Sequence, residues 1–157
     1  MNAQEQLITT FYTNFQQCDW KGMIDCYHAE IFFYDPVFEN LEAEAVRAMW
    51  EMLLGRAKEI TLSFKNISSD DDYGYCEWKA EYTFPATGRK VVNEGNARFT
   101  FDEGKIIEHY DEFSLWKWSA QALGLPGILF GWTPLLHNRI RRQARANLEK
   151  FMAKKAF

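Results

Sequence analysis

Four consecutive segments in the second half of the chain alternate between apolar and polar residues with a period of two. They cover residues 60–68, 74–84, 89–101 and 105–116. This alternation is typical of β-strands that hold one face against a core and the other in water. The connections at 85–88 and 102–104 are short and rich in turn residues, as in hairpins. The sequence therefore predicts an antiparallel sheet.

The residues before this sheet follow a helical period. Apolar side chains recur at helical spacing over residues 3–17 and 42–56, and Asp19 is a candidate N-cap for a short helix. A strand over residues 31–38 lies between the short helix and the third one. Helices that precede an antiparallel sheet indicate an α+β fold, with the helices on one sheet face. We expect the first and third helices to bury the face that carries Cys76, Trp78, Ala80 and Tyr82.

Charge is unevenly distributed along the 157 residues, whose net charge is −4. Residues 133–157 carry +6, so the remainder carries −10, which argues against nucleic-acid binding by the body of the protein. Thr133-Pro134 is a good start for a basic amphipathic helix. We expect this helix to dock over a pocket mouth or on a partner subunit, and a membrane surface is the alternative. Glycines and prolines interrupt the uncharged run before it, so we expect no transmembrane span.

Cysteine and histidine usage indicates neither a disulfide framework nor a metal site. The chain has an odd number of cysteines, Cys18, Cys26 and Cys76, and none has a paired metal-ligand spacing. The histidines are too scattered in sequence to predict a cluster. We therefore expect no metal and no cofactor. The first residues lack the pattern of a signal peptide, and a reducing, cytoplasmic location is expected.

Two titratable residues fall on the otherwise apolar face of the last predicted strand. His109 and Asp111 are two positions apart, so their side chains point to the same side of the sheet. A carboxylate beside an imidazole in an apolar cleft orients the ring and favours its charged form, which suits proton transfer. The alternative is a purely structural pair, or a face that is wet at its end.

A third carboxylate lies in the aromatic segment "FFYDPVF", residues 32–38. In apolar surroundings, Asp35 would have a raised pKa and could act as a base near neutral pH. It also precedes Pro36, and Asp-Pro is a common way to begin an exposed turn. The residues alone leave both interpretations open.

The order of these elements resembles the nuclear transport factor 2-like superfamily, and within it the SnoaL-like polyketide cyclases and the ketosteroid isomerases. The most specific pieces are "CYHAEIFFYDPVF" and "FDEGKIIEHYDEF". The resemblance implies a cystatin-like fold, in which a cone-shaped curved sheet packs on the N-terminal helices. It implies a SnoaL-like domain over residues 1–116, and we expect residues 117–157 to form a C-terminal helical extension on the same domain.

The resemblance also implies roles for the carboxylates. Asp35 matches the general base of the isomerases, and Asp111 matches an acid or base of the cyclase-like members. The positions of the isomerases' two oxyanion donors are occupied here by Phe11 and Ala97, whose side chains have no hydrogen-bond donor. A true ketosteroid isomerase is therefore not expected. The chain also resembles the limonene epoxide hydrolases, which need an arginine that points to the inner face of the sheet. Arg98 falls on the outer face in the alternation, so this activity is not expected either.

These features together predict a small-molecule enzyme for isomerisation, cyclisation or hydration of an apolar carbonyl or cyclic substrate in a closed pocket. Asp35, Asp111 and His109 would be catalytic. The expected pocket walls are Tyr12, Phe33, Tyr34, Trp50, Trp78, Tyr82 and Phe113. The alternative is a non-catalytic module that binds a small ligand or another protein. A homodimer through the polar outer sheet face is expected in either case.

Overall fold

The structure is a computed structural model that describes residues 1–56 and 59–155. These residues form helices α1 (Ala3–Gln16), α2 (Trp20–Asp25), α3 (Ala43–Arg56), α4 (Leu115–Leu123), α5 (Leu125–Phe130) and α6 (Pro134–Lys155). The strands are β1 (Tyr27–Asp35), β2 (Glu39–Glu42), β3 (Ile60–Ser69), β4 (Tyr73–Thr83), β5 (Lys90–Asp102) and β6 (Lys105–Phe113). The chain is thus the mixed α+β fold that the two periodicities predict.

Local side-chain caps explain several boundaries. Asn2 accepts a hydrogen bond from the Glu5 N–H at 2.8 Å and begins α1. Asp19 accepts one from the Gly22 N–H at 3.0 Å and begins α2, as predicted. The prediction of a last strand reaching residue 116 is wrong at its end, because Ser114 caps α4 through the Lys117 N–H. Strand β2 gives no signal in the sequence, since its residues are mostly polar and it is four residues long.

The six described strands form one curved, open sheet in the order β2-β1-β6-β5-β4-β3. Strand β1 runs parallel to β6, and the other neighbours are antiparallel. The register shifts within β1, between Lys65 and Ser68 in β3, and between Thr100 and Phe101 in β5. Such bulges increase the local twist and bend the sheet around its contents.

The inner face of this sheet is the one that the alternation predicts. Cys76 and Ala80 are buried, Trp78 and Tyr82 are half-buried, and Glu81 on the opposite face is exposed. Helix α1 packs on β3 and β4, as expected, whereas α3 packs mainly on β1 and β2. The two helices therefore divide the inner face between them.

The C-terminal helix α6 lies on the same chain. Arg141 Nε donates to the Pro36 carbonyl at 2.9 Å, and Arg145 donates to the Phe38 carbonyl at 3.1 Å. At the other end of α6, Lys155 forms an ion pair with Glu51 of α3. The apolar stripe of α6 meets the core through Ala144, Leu148, Phe151 and Met152. No helix within the described residues has the length and apolar character to cross a membrane.

Candidate active site

His109 is held at the centre of a chain of buried hydrogen bonds. Its side chain is 1% exposed, although imidazole is polar at both ring nitrogens. Nδ1 lies 2.8 Å from the Tyr27 hydroxyl, and Nε2 lies 2.9 Å from Asp111 Oδ1. The rings of Phe11, Phe33 and Phe99 surround it at centroid distances of 5.4, 5.0 and 4.7 Å. Both nitrogens are therefore satisfied in an aromatic enclosure.

The neighbours of Tyr27 assign the direction of these hydrogen bonds. Trp50 Nε1 can only donate, and it donates to the Tyr27 oxygen at 3.0 Å. Burial raises the pKa of Tyr27 well above its usual value, so the hydroxyl keeps its proton. The Tyr27 hydroxyl therefore donates its hydrogen bond to Nδ1. With Nδ1 as an acceptor, the ring proton of a neutral His109 is on Nε2, which donates to Asp111. Both ring nitrogens of His109, the Tyr27 hydroxyl and the Trp50 N–H then have partners.

Asp111 receives a second donor from the neighbouring strand. Trp78 Nε1 donates to Asp111 Oδ1 at 3.2 Å. Trp78 pairs with Gly95 across β4 and β5, and a Cβ at Gly95 would lie 2.7 Å from the indole ring. The glycine therefore allows the indole to lie flat across the sheet and reach the carboxylate. Asp111 is 8% exposed, so these two N–H groups replace much of its hydration.

Asp35 reaches the same place from β1. In the parallel pairing, Phe33 lies beside His109 and Tyr34 beside Tyr110. Asp35 and Asp111 are the next residue of each strand, and the two carboxyl groups are close enough for the charge of Asp111 to act on Asp35. Burial raises the pKa of Asp35 to about 7, the Phe38 N–H opposes that shift, and the charge of Asp111 adds to it. The structure thus brings two carboxyl groups together in unlike environments.

The carboxyl group of Asp35 also organises a turn. Its Oδ1 accepts hydrogen bonds from the Val37 N–H at 2.9 Å and the Phe38 N–H at 2.6 Å. Both bonds go to one oxygen, which leaves Oδ2 available to another partner. The two interpretations left open by the sequence are therefore compatible, because Asp35 is a turn residue and a desolvated acid at once.

The two carboxyl groups and three half-buried aromatic side chains form one surface, which we call the rim. We define the rim as Asp35, Trp78, Tyr82, Asp111 and Phe113. Burial raises the pKa of Tyr82, the Trp118 N–H bound to its hydroxyl at 2.7 Å lowers it, and the Asp35 charge raises it further.

Above the rim, a second apolar cluster joins β5, α4 and α6. It contains Val91, Leu115, Trp118 and Ala122, with Val37 and Ile140 packed against them. The rim therefore lies where the sheet, α4 and α6 meet.

The other expected wall residues lie elsewhere. Tyr12, Phe33 and Trp50 are almost fully buried in the core beneath His109. Tyr34 lies on the outer face, where its ring is 6.3 Å from that of Tyr110. The structure brings Trp78, Tyr82 and Phe113 to the two carboxyl groups and does not bring Tyr34 there.

The space beneath the sheet is occupied by side chains. Aromatic rings pack edge to face or stacked on its inner side, and they belong to Phe11, Tyr12, Phe15 and Trp50. A shallow open groove of about 680 Å³ lies on the outer face instead, along Tyr73, Tyr75, Arg98 and Tyr110. Neither Asp35 nor Asp111 lines this groove, and both lie at the rim.

One group of described side chains could in principle hold a metal. His28, Asp102 and Glu103 place ligand atoms within 4.8 Å of one another at the surface. His28 is the second residue of β1, whereas Asp35 ends the strand, so this group is separate from the rim.

The model of the SnoaL-like domain family matches residues 8–109, which is well over half of the chain. The chain belongs to the SnoaL-like family. The match runs from α1 to His109 in β6. Asp111 and helices α4 to α6 of this SnoaL-like protein lie beyond it. No curated protein sequence matches the chain.

Solved structures share the fold at low sequence identity. A protein from Pseudomonas putida KT2440, provisionally assigned as a polyketide cyclase, has a TM-score of 0.64 and 19% identity over 78% of this chain and 98% of its own. One from Xanthomonas campestris pv. campestris with the same provisional assignment has 0.63 and 20% over 77% and 98%. TerC, crystallised with polyporic acid, has 0.61 and 15% over 71% and 92%. These likenesses show the nuclear transport factor 2-like fold.

Sequence reasoning missed Tyr27, which connects Trp50 to His109. Strand β1 begins four residues before the predicted one, and its register shifts between Tyr27 and Phe32. A bulge breaks the alternation, so the inward position of Tyr27 could not be counted back from Phe33. The only signal was an aromatic residue just after the second helix.

Proposed function

We propose that this SnoaL-like protein is an enzyme that transfers protons on an apolar carbonyl or cyclic substrate bound at the rim. The observation that carries the proposal is the placement of Asp35, with a pKa of about 7, beside Asp111, which is bonded to two N–H groups. A base whose pKa matches the working pH is efficient in proton transfer. Two carboxyl groups in unlike environments can serve as acid and base in one site.

The chemistry follows from the free oxygen of Asp35. Asp35 Oδ2 removes a proton from the carbon next to a carbonyl, and the C–H electron pair moves into an enolate. The same carboxylic acid then returns the proton to another carbon of the substrate. In a cyclisation, the enolate carbon instead forms a bond to a second carbonyl carbon, whose C=O π electrons move to the oxygen, and that alkoxide takes the proton from Asp35. His109 and Asp111 form the second acid/base pair, because the Nε2 proton lies between them. Trp78, Tyr82 and Phe113 supply apolar contact with the substrate.

The reaction class can be tested without knowing the natural substrate. A panel of apolar ketones and 1,3-diketones is incubated with the protein in D₂O, and exchange at the carbon next to the carbonyl is followed by NMR. We expect protein-dependent exchange with at least one compound, and its loss in Asp35→Asn. Exchange that persists in Asp35→Asn would remove Asp35 from the role of base. Absence of exchange over the panel would favour the binding alternative.

The alternative function is a non-catalytic module that binds a small ligand. Phe11, Phe15 and Trp50 pack against one another inside the sheet, and binding at the rim without chemistry needs only the apolar contacts of Trp78, Tyr82 and Phe113. A ligand that protects the rim from hydrogen exchange without being converted would support this alternative.

We also propose a homodimer through the outer sheet face in a reducing compartment such as the cytoplasm. That face carries the ion pairs Lys79–Glu81 at 3.4 Å and Arg98–Glu112 at 3.9 Å. Cys18, Cys26 and Cys76 are all free thiols, which is usual in a reducing compartment. Light scattering at high protein concentration tests the dimer, and a monomer mass would contradict it.

A further inference from the structure

The segment between α4 and α6 reverses the usual relation between residue size and burial. Gly124, Gly127 and Gly131 are buried. The large apolar side chains between and after them are each at least half exposed: Leu125, Ile128, Leu129, Phe130, Trp132 and Leu135. We call these six side chains the apolar patch. Large exposed apolar side chains concentrated in one short segment mark a site of interaction with another apolar surface.

The backbone contact between α5 and α4 causes this reversal. A Cβ at Gly127 would overlap the Ser119 carbonyl, so α5 packs on α4 through its glycine backbone. The side chains of α5 must then point outward. Trp116 of α4, itself 50% exposed, extends the apolar patch on the side of α4. The exposure is therefore built into the packing and does not come from a loose loop.

The side-chain donors in and next to the apolar patch are already paired. Trp132 Nε1 donates to the Leu129 carbonyl at 3.1 Å, and Trp116 Nε1 donates to the Ile128 carbonyl at 3.3 Å. The Thr133 hydroxyl donates to the Phe130 carbonyl at 2.5 Å. An unpaired N–H costs several kcal/mol in a bilayer, so internal pairing lets this surface leave water.

The charged residues of the segment that holds the apolar patch have one sign. Residues 113–148 contain no aspartate or glutamate, although the whole chain carries −4. Leu135, Arg139 and Arg142 follow each other at i, i+4 and i+7 on α6, and all three are exposed. Basic side chains thus continue the same exposed stripe as the apolar patch.

We propose that the apolar patch inserts into the interfacial region of an anionic lipid bilayer, with Arg139 and Arg142 on the lipid headgroups. Exposed aromatic and aliphatic residues next to arginines are the features of interfacial binding. The absence of acidic residues over residues 113–148 distinguishes a negatively charged surface from a neutral apolar groove. This binding is independent of the chemistry at the rim.

Co-sedimentation with vesicles tests the proposal. Wild-type protein is expected to sediment with vesicles of phosphatidylcholine and phosphatidylserine in equal parts, and much less with phosphatidylcholine alone. Phe130→Ser combined with Trp132→Ser should weaken binding by at least about tenfold, because two interfacial anchors are lost. Arg139→Gln and Arg142→Gln should each weaken it about fivefold at low salt.

Matched control variants separate vesicle binding by the apolar patch from nonspecific adsorption. Tyr73→Ser combined with Val92→Ser removes exposed apolar groups elsewhere, and Lys150→Gln with Lys154→Gln removes charge from the far end of α6. Both control pairs should bind the mixed vesicles like wild type, and circular dichroism should show all variants folded. Wild type that leaves both vesicle types unbound, or patch variants that bind normally, would overturn the proposal. A dimer that dissociates in the patch variant, with no lipid binding, would assign the apolar patch to contact between copies of the chain.

Discussion

Two hairpin turns of this protein begin with an aspartate that makes the same hydrogen bonds in opposite surroundings. Asp35 accepts from the N–H groups two and three residues later, at 2.9 and 2.6 Å. Asp70, between β3 and β4, accepts from the equivalent Asp72 and Tyr73 N–H groups at 2.9 and 2.7 Å. The pKa of Asp70 is lowered by these bonds, whereas burial raises that of Asp35 to about 7.

The surroundings of the two turns account for this difference. The Asp70 turn is in water, so the two N–H groups decide its acidity. The Asp35 turn is covered by α6, and Asp111 lies beside it. Desolvation there outweighs the same pair of hydrogen bonds. Identical local chemistry therefore gives a structural aspartate at one hairpin and a candidate base at the other.

Amide substitutions should separate the two turns most strongly. Asn keeps the oxygen that accepts both N–H groups but cannot take a proton. Asp35→Asn should lower catalysed deuterium exchange by about 10²–10⁴-fold, which is the usual contribution of a general base. Asp70→Asn should leave the rate unchanged. Equal rates in the two variants, measured by NMR on one ketone, would contradict the distinction between the turns.

The stability of the same two variants should depend on pH with opposite sign. Folding raises the pKa of Asp35 from 3.8 to about 7, so wild type loses up to about 4 kcal/mol of unfolding free energy as the pH rises through that interval. Asp35→Asn should therefore be more stable than wild type above about pH 7 and similar to it near pH 4. Urea unfolding at several pH values measures the difference.

Asp70 gives the reverse expectation in the same experiment. Its lowered pKa contributes stability above the ordinary aspartate pKa, and this contribution is lost as the pH falls. Asp70→Asn should therefore be less stable than wild type at neutral pH, and the difference should vanish in acid. The same sign for both variants would show that burial does not separate the two turns.

We call the hydrogen bonds that join Trp50, Tyr27, His109 and Asp111 the relay. Two buried tyrosines, one inside the relay and one outside it, test whether the relay affects the titration of Asp35. Tyr27→Phe leaves the Trp50 N–H and His109 Nδ1 without their partner, and should cost about 1–3 kcal/mol in urea unfolding. Tyr12→Phe is the matched control, because its buried hydroxyl has no hydrogen-bond partner among the described residues. Its loss should cost little. A change in the Asp35 titration in Tyr27→Phe alone would show that the relay positions Asp111.

The weakest effects should come from single side-chain hydrogen bonds beside each turn. Arg141→Gln removes a charged donor from the Pro36 carbonyl and should lower stability by about 1 kcal/mol. Ser69→Ala removes the exposed bond from Ser69 to the α1 cap Asn2 at 2.8 Å and should cost less than about 0.5 kcal/mol. Thermal unfolding compares the two, and a larger loss for Ser69→Ala would reverse the ranking of the turns.

Much of the frame follows from patterns that are local in the chain. Period-two alternation places His109 and Asp111 on the inner face, and helical spacing with cap residues locates α1, α2 and α6. These predictions succeed because alternation and capping depend on residues close together in the chain. Strand β2 and the early start of β1 were missed, since one is short and polar and the other contains a bulge.

Sequence patterns predict that His109 and Asp111 share a face, and they give a turn that begins at Asp35 as one of two interpretations. They do not show whether water reaches the Asp35 carboxyl group. Burial of Asp35 depends on α6, whose Arg141 is more than a hundred positions away, and on the parallel pairing of β1 with β6. Desolvation is a property of everything packed around a group, whereas a turn is a property of four residues. Long-range packing therefore decides which of two equivalent turns, Asp35 or Asp70, has the raised pKa.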